Sequence, residues 1–218
     1  MLIAFETSQQ LCSVAILSKN GAVIDQLVVD EINHHAKNLP LMTNEILKNN
    51  DYHFNNLSGV AVSKGPGSYT GLRIAAAYAK GICFGLNIPL IAVSTLRAMA
   101  AQLNIQDSSN GMLLVPMIDA RRMEVYAATF NKEELLDEER AIILDKNYFQ
   151  NIEGYYRFFG NGAEKIPTDW ITKDQEIIKG IKPIASVIGK LALVKLKNKE
   201  FEDLDSFEPN YIKSFRLG

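Results

Sequence analysis

The sequence predicts an α/β protein built as two lobes, and three features of the 218-residue chain support this prediction. Strand patterns alternate with helical patterns from the third strand onward, an order typical of parallel strands joined by crossover helices. A polar stretch at 106–111, QDSSNG, marks a boundary. The order strand, acid, polar turn, strand opens the chain around Glu6 and recurs around Asp119. We therefore predict an N-terminal lobe over 1–105 and a smaller C-terminal lobe over 111–218.

The predicted N-terminal lobe has the order β-β-β-α-β-α-β-α. Its first three strands form two successive hairpins, because a polar turn follows Glu6 and Asn20-Gly21 is a second turn signal. The later strands are short apolar runs, and the helices carry apolar residues at helical spacing. The predicted elements are strands at 2–5, 12–17 and 23–29, a helix at 35–48, a strand at 59–62, a helix after Ser68, a strand at 90–93 and a helix at 94–103.

The predicted C-terminal lobe begins with the same hairpin pattern and continues with shorter elements. A turn at Gly160-Asn161-Gly162 ends a short strand, and Pro183 stands near the first turn of an apolar helix, where proline is favoured. The predicted elements are strands at 112–118, 124–130 and 135–144, a short strand ending at Phe159, a helix at 183–196 and an extended segment at 208–213.

A glycine-rich turn, KGPGS at 64–68, separates a predicted strand from the helix that follows it. This order presents backbone N–H groups at a helix N-terminus, where phosphates can bind. The spacing misses the dinucleotide fingerprint, because Thr70 stands where the third glycine belongs, and no lysine follows a suitably spaced glycine as in a P-loop. We therefore predict a tight turn without a phosphate, with Ser68 as the N-cap of the helix.

Two helices of the first lobe offer a candidate surface for another protein. Each such helix needs one apolar stripe facing the sheet, so a second stripe indicates an interface. A ridge of small residues also lets a second helix approach closely. The candidate partner-binding residues are Leu39, Met42, Ile46, Ala75, Ala79 and Cys83. The alternative is that both stripes simply cover the sheet. If the surface binds a partner, Ala79→Arg is expected to abolish binding and leave the monomer folded.

Two lobes that each open with antiparallel strands around an acidic turn are typical of the actin-like ATPase fold, also called the ASKHA or ribonuclease H-like fold. In that fold the two acidic turns hold phosphate and metal. Here the second turn, Asp119 to Arg122, contains no glycine that would let its backbone approach a phosphate, so we do not predict strong ATP binding. Glu6 and Asp119 either form a paired carboxylate site or, as we favour, each accept hydrogen bonds from their own turn.

Composition excludes several functional classes. The chain is 47% hydrophobic and 22% charged, as ordinary globular proteins are. Its net charge of −2 does not indicate a nucleic-acid or membrane partner. No window approaches the roughly 20 apolar residues of a membrane helix, and no signal-peptide pattern opens the chain. Cys12 and Cys83 lie in apolar runs, which favours buried, reduced thiols and a cytoplasmic location.

Metal and nucleophile motifs are also absent from the sequence. The three histidines, His34, His35 and His53, include no pair four residues apart, which is the spacing that places two ligands on one helix face. No G-x-S-x-G elbow gives Ser68 the setting of a nucleophile. We therefore expect no metal site and no protease activity.

Six stretches of the chain resemble the TsaB (YeaZ) family. The resemblance is strongest over residues 1–130, and the glycine-rich stretch is highly specific. Glu6 stands where the family usually has aspartate, and the stretch after His34 departs from the usual His-Ser-Glu helix start. The matching stretches are 6–8 (ETS), 35–40 (HAKNLP), 64–73 (KGPGSYTGLR), 89–96 (PLIAVSTL), 118–121 (IDAR) and 209–213 (PNYIK).

The resemblance implies a bacterial subunit of the machinery that forms N6-threonylcarbamoyladenosine at position 37 of tRNAs that read ANN codons. A protein of this family is a non-catalytic scaffold that binds and activates TsaD, the transferase subunit, together with the ATPase TsaE. Threonylcarbamoyl-AMP is the donor in the reaction. The resemblance also implies a homodimer in the absence of TsaD and contact with tRNA only through the complex. No catalytic, cofactor-binding or metal-binding residue is expected in this chain.

Two other functions compete with the scaffold. The first is a small ATP-dependent kinase of the actin-like fold, which needs a glycine in the second phosphate turn. The second is an RNA-binding module, which needs a basic face with interleaved aromatic residues, and the sequence shows none. The pair Arg121-Arg122 is better explained as a solvated turn on a net acidic chain.

Overall fold

Two five-stranded sheets organise the part of the chain that the structure describes. The structure is a computed structural model, and it describes residues 1–31, 34–103, 111–132 and 134–213. The predicted linker falls largely on 106–110, outside these residues.

The first sheet has the strand order β3-β2-β1-β4-β5. β1 pairs antiparallel with β2 and parallel with β4, so the two predicted hairpins and the parallel crossovers are both present. The elements are β1 (Leu2–Glu6), β2 (Leu11–Leu17), β3 (Val23–Asp30), α1 (His35–Asn49), β4 (Gly59–Ser63), α2 (Tyr69–Leu86), β5 (Leu90–Val93) and α3 (Thr95–Gln102).

Both faces of this sheet are covered, which explains why its central strands are continuous apolar runs. On one face, Ile3 and Phe5 pack with α1 and α2. On the other face, Leu2 and Ala4 pack with a C-terminal helix, α5 (Ala185–Lys197). Because successive side chains of β1 point to opposite faces, they contribute to two separate apolar clusters, one on each side of the sheet.

The position of α5 changes the predicted division of the chain. The predicted boundary assigned this helix to the second lobe, but α5 packs on the first sheet, where Ile188 and Ala192 are fully buried. Its first turn is held by Ser13, whose Oγ accepts from the N–H of Ala185 at 3.2 Å. Lys195 Nζ donates to the carbonyl of Ala92 at 2.9 Å. The first unit is therefore Met1–Ala98 with Pro183–Asn210, and the second is formed by the described residues of 99–182 and 211–213.

The second sheet has the order β10-β9-β6-β7-β8. Its core is rich in aromatic residues, with Phe149 and Phe158 in an edge-to-face contact at 5.3 Å between ring centroids. The elements are β6 (Leu113–Asp119), β7 (Glu124–Asn131), β8 (Glu134–Ile143), α4 (Lys146–Asn151), β9 (Tyr156–Phe159) and β10 (Gln175–Ile178).

The two sheets share one topology. Read from β8, the second sheet has the order β8-β7-β6-β9-β10, which matches β3-β2-β1-β4-β5 position by position. The antiparallel and parallel pairings match as well, since β6 pairs antiparallel with β7 and parallel with β9. The recurrence of the opening pattern in the sequence thus corresponds to a repeated architecture.

Candidate functional site

The glycine-rich loop between β4 and α2 is the first candidate site. Ser68 is the N-cap of α2, as predicted, and its Oγ accepts from the N–H of Gly71 at 3.2 Å. Gly65 has a φ of 104°, in the left-handed region that favours glycine. The loop therefore has the backbone shape that can present N–H groups at a helix N-terminus.

The chain's own β1–β2 turn occupies this loop. The N–H of Ser68 donates to the carbonyl oxygen of Ser8 at 2.6 Å, and Thr7 Oγ1 donates to the carbonyl of Gly71 at 2.8 Å. A Cβ at Gly67 would overlap the backbone of Ser8, and one at Gly71 would overlap the carbonyl of Thr7. These two glycines thus admit a neighbouring piece of protein backbone, which agrees with the expectation of a turn without a phosphate.

A second segment closes the loop at Gly65. The N–H of Asn210 donates to the carbonyl of Lys64 at 2.6 Å, and a Cβ at Gly65 would lie 2.7 Å from the carbonyl oxygen of Asn210. Lys80 Nζ on α2 donates to the carbonyl of Phe207 at 2.9 Å, which holds the same segment. The stretch 209–213, which resembles the family, therefore begins where Asn210 is hydrogen-bonded to the glycine-rich loop.

Glu6 ends β1 and is completely buried. Its Oε1 accepts from the N–H of Ser8 at 2.5 Å, inside the β1–β2 turn. Burial raises the pKa of this carboxyl above its ordinary value, and the nearby hydroxyls of Ser8 and Ser63 offset part of that rise in pKa. Glu6 is thus bonded to its own turn, as we favoured.

Asp119 ends β6 in the second unit and is also bonded to its own turn. Its Oδ1 accepts from the N–H of Arg121 at 2.7 Å and from Lys165 Nζ at 2.5 Å. Arg121 and Arg122 have φ values of 69° and 50°, in the left-handed region, and both are exposed. The exposed side chains agree with the interpretation of a solvated turn. Two bulky left-handed residues make this turn unlike one shaped for close approach of a phosphate.

The six candidate partner-binding residues are buried in the chain itself, so the proposed stripes require a correction. None is more than 4% exposed, and all six belong to the cluster that covers one face of the first sheet. The alternative considered for these stripes, that they cover the sheet, describes the structure. An arginine at Ala79 would have to enter this core, so Ala79→Arg tests folding and not binding. The six residues are Leu39, Met42, Ile46, Ala75, Ala79 and Cys83.

The outward faces of the same helices carry exposed apolar side chains that the sequence analysis did not single out. Phe84 on α2 is 84% exposed and Leu41 on α1 is 55% exposed. Around Phe84, α2 exposes only small residues, Ala77, Gly81 and Gly85, and a Cβ at either glycine would meet nothing within 4 Å. The available signal was a large aromatic residue between two helical glycines. We call Leu41, Ala77, Gly81, Phe84 and Gly85 the outer face.

The remaining reactive groups form no further site in the described ranges. Cys12 and Cys83 are buried and unpaired with each other, and burial raises the pKa of Cys12 to about 11 and of Cys83 to about 12. Among the residues that the structure describes, no three His, Cys, Asp or Glu side chains converge to hold a metal ion. None of the described helices is both long and apolar enough to cross a membrane.

A family model and a related sequence both point to tRNA threonylcarbamoyladenosine biosynthesis proteins. The family model described as TsaD, tRNA N6-adenosine threonylcarbamoyltransferase, matches residues 26–204. The tRNA threonylcarbamoyladenosine biosynthesis protein TsaB of Escherichia coli (strain K12) is 33% identical over 225 residues, which cover 98% of this chain and 94% of that protein.

Solved structures show the fold. YeaZ from Pseudomonas aeruginosa aligns with a TM-score of 0.79 at 24% identity, covering 96% of this chain and 98% of that one. An inorganic polyphosphate/ATP-glucomannokinase from Arthrobacter sp. strain KM aligns with a TM-score of 0.53 at 12% identity, covering 91% and 98%. With two mixed sheets of one topology, the chain has the ASKHA-like α/β fold. It belongs to the TsaB family of tRNA threonylcarbamoyladenosine biosynthesis proteins, within the wider family that the TsaD model describes.

Proposed function

We propose that this chain is a non-catalytic scaffold subunit that binds and activates TsaD, together with TsaE, in forming N6-threonylcarbamoyladenosine at position 37 of ANN-decoding tRNAs. The observation that carries the proposal is the outer face. Phe84 is not isolated, because Ala77, Gly81 and Gly85 extend the exposed apolar surface along the same side of α2, and contiguous apolar patches mark interaction sites. Small residues at Ala77, Gly81 and Gly85 would let a partner helix approach α2 closely.

The glycine-rich loop supports the non-catalytic part of the proposal. A phosphate-binding loop would offer its N–H groups to a ligand, but here the N–H of Ser68 is bonded to Ser8 and the space beside Gly67 and Gly71 is filled by the β1–β2 turn. A phosphate would have to displace the chain's own backbone.

We further propose that the chain forms a homodimer through the outer face when TsaD is absent.

Gly81→Arg is the sharpest test of the outer face. The Cβ of a residue at 81 points into open space, and arginine is a better helix former than glycine by about 1 kcal/mol, so we expect a monomer at least as stable as the wild type. The long side chain would keep a partner helix away. We expect co-purification with TsaD to be lost, together with stimulation of tRNA modification in a reaction with TsaD, TsaE and threonylcarbamoyl-AMP.

Glu153→Arg is the matched control, since it adds the same side chain at an exposed position of the second unit. It should co-purify with TsaD at wild-type yield. If Gly81→Arg also binds TsaD at wild-type yield, the outer face is not the interface. Calorimetry of the isolated chain with ATP and Mg²⁺ tests the kinase alternative, which micromolar binding would restore.

A further inference from the structure

One oxygen of the buried Glu6 carboxyl has no hydrogen-bond partner within the described residues. Oε1 accepts from Ser8, but Oε2 makes no bond, although the side chain has no solvent access. An ionised carboxylate in this position would be held entirely away from water, which is costly unless an opposite charge pairs with it.

Two buried hydroxyls near this carboxyl are also without partners in the described ranges. Ser8 and Ser63 both have an Oγ with no hydrogen bond, and both lie close enough to Glu6 to affect its pKa. Ser63 ends β4, which runs parallel to β1, so the two side chains lie at the same end of neighbouring strands. A hydroxyl oxygen is a hydrogen-bond acceptor as well as a donor. These neutral hydroxyls can therefore face either form of the carboxyl, and neither supplies the positive charge that would pair with an ionised one.

The charged groups around Glu6 do not favour its ionised form. Burial raises the pKa of Glu6, hydrogen bonding from Ser8 and Ser63 lowers it by less, and no cationic side chain of the described residues contributes. On the neighbouring strand β2, the coupled titratable group is the thiol of Cys12, which is itself held neutral by burial. On the other neighbouring strand, β4, and in the turn, the facing groups are the neutral Ser63 and Ser8.

We propose that Glu6 carries its proton at neutral pH and in this neutral state holds the β1–β2 turn in the glycine-rich loop. A single residue, Ser8, connects Glu6 to the glycine-rich loop by hydrogen bonds. Glu6 Oε1 binds the N–H of Ser8, and the carbonyl of the same Ser8 binds the N–H of Ser68 in the loop. Ionisation of Glu6 would thus destabilise the turn that fills the loop, which makes the contact dependent on pH.

Infrared spectroscopy of the wild-type chain tests the protonation state directly. At pH 7 the exposed carboxyl groups are ionised, so a C=O stretch of a protonated carboxylic acid in the folded protein identifies a buried neutral acid. We expect this band in the wild type, and we expect it to be absent from Glu6→Gln and present in Glu45→Gln, which changes an exposed residue of α1. Absence of the band from the folded wild type overturns the proposal, whatever the variants do.

The pH dependence of unfolding gives a second, independent test. Because folding raises the pKa of Glu6, the stability that the neutral acid contributes is complete below the unfolded-state pKa and is lost as the pH rises through the folded-state pKa. The unfolding constant of the wild type divided by that of Glu6→Gln should rise by up to about tenfold per pH unit between those two values. The same ratio for Glu45→Gln should stay flat.

Two results would contradict a neutral Glu6. A ratio that falls as the pH rises would mean that the fold stabilises the ionised form. Stabilisation of the wild type, but not of Glu6→Gln, by Na⁺, K⁺ or Mg²⁺ at constant ionic strength would mean that a cation and not a proton occupies the site.

Discussion

At the scale of single residues, Ser8 joins the buried Glu6 to the glycine-rich loop. Its carbonyl binds Ser68 and its N–H binds Glu6, so one turn residue links the buried acid to the start of α2. Gly67 and Gly71 are required because any Cβ there would overlap this turn. The sequence predicts the turn and the N-cap, both of which are local. The partner of the loop is not local, because Thr7 and Gly71 lie 64 residues apart in the chain.

The two cysteines provide a test at this scale. Because burial raises the pKa of Cys12 to about 11 and of Cys83 to about 12, the fraction of reactive thiolate at pH 7 is very small, and access is blocked as well. We expect a thiol reagent to modify the native protein no faster than it unfolds. Modification should become rapid in denaturant, and rapid labelling of either thiol in the native protein would contradict the burial described for these side chains.

At the scale of elements, α2 has one buried face and one exposed face. One face, which includes Ala75 and Ala79, is buried against the first sheet, and the opposite face exposes Phe84 and small residues. The periodicity of small residues predicts a close-packing ridge, and the structure shows that the ridge packs inside the molecule. A sequence pattern identifies a face that packs, but it does not distinguish the chain's own sheet from another protein.

Two glycines of this helix should respond oppositely to the same substitution. Gly71→Ala places a methyl group against the carbonyl of Thr7, and we expect a loss of about 2 kcal/mol or more in the free energy of unfolding. Gly81→Ala meets nothing, and removing glycine from the middle of a helix should add about 0.5–1 kcal/mol. Chemical denaturation of the two variants measures both effects, and equal changes in the two would contradict the packing described for α2.

At the scale of the whole molecule, the chain repeats one sheet topology but does not divide at one point. The first unit is completed by α5, which follows the second sheet in sequence, so the first 98 residues lack the helix that covers one face of their sheet. In the second unit the loop after β9 repeats the local arrangement, since the N–H of Gly162 donates to the carbonyl of Met117 at 3.0 Å. In both units, a glycine loop thus packs on a residue of the opening hairpin or its turn.

The fragment 1–105, which the sequence predicts to be a lobe, tests this division. Without α5, an apolar sheet face that includes Leu2 and Leu17 is uncovered, and we expect the fragment to bind a hydrophobic dye and to unfold without a cooperative transition. Joining 183–210 to it through a flexible linker should restore cooperative thermal unfolding, measured by circular dichroism. Cooperative unfolding of 1–105 alone would show that α5 is dispensable.

The sequence by itself determined the strands and helices of the first lobe, the opening strands of the second, the N-cap at Ser68, the repeated opening pattern and the family, but it did not predict α4 or β10. These features rest on contacts within a few residues, or on motifs that are read directly. Only the tertiary structure decided which face of α2 is free, where α5 packs and what fills the glycine-rich loop. Each of these depends on residues far apart in the chain, such as Ser13 and Ala185 at a separation of 172, and the same local pattern is compatible with more than one such partner.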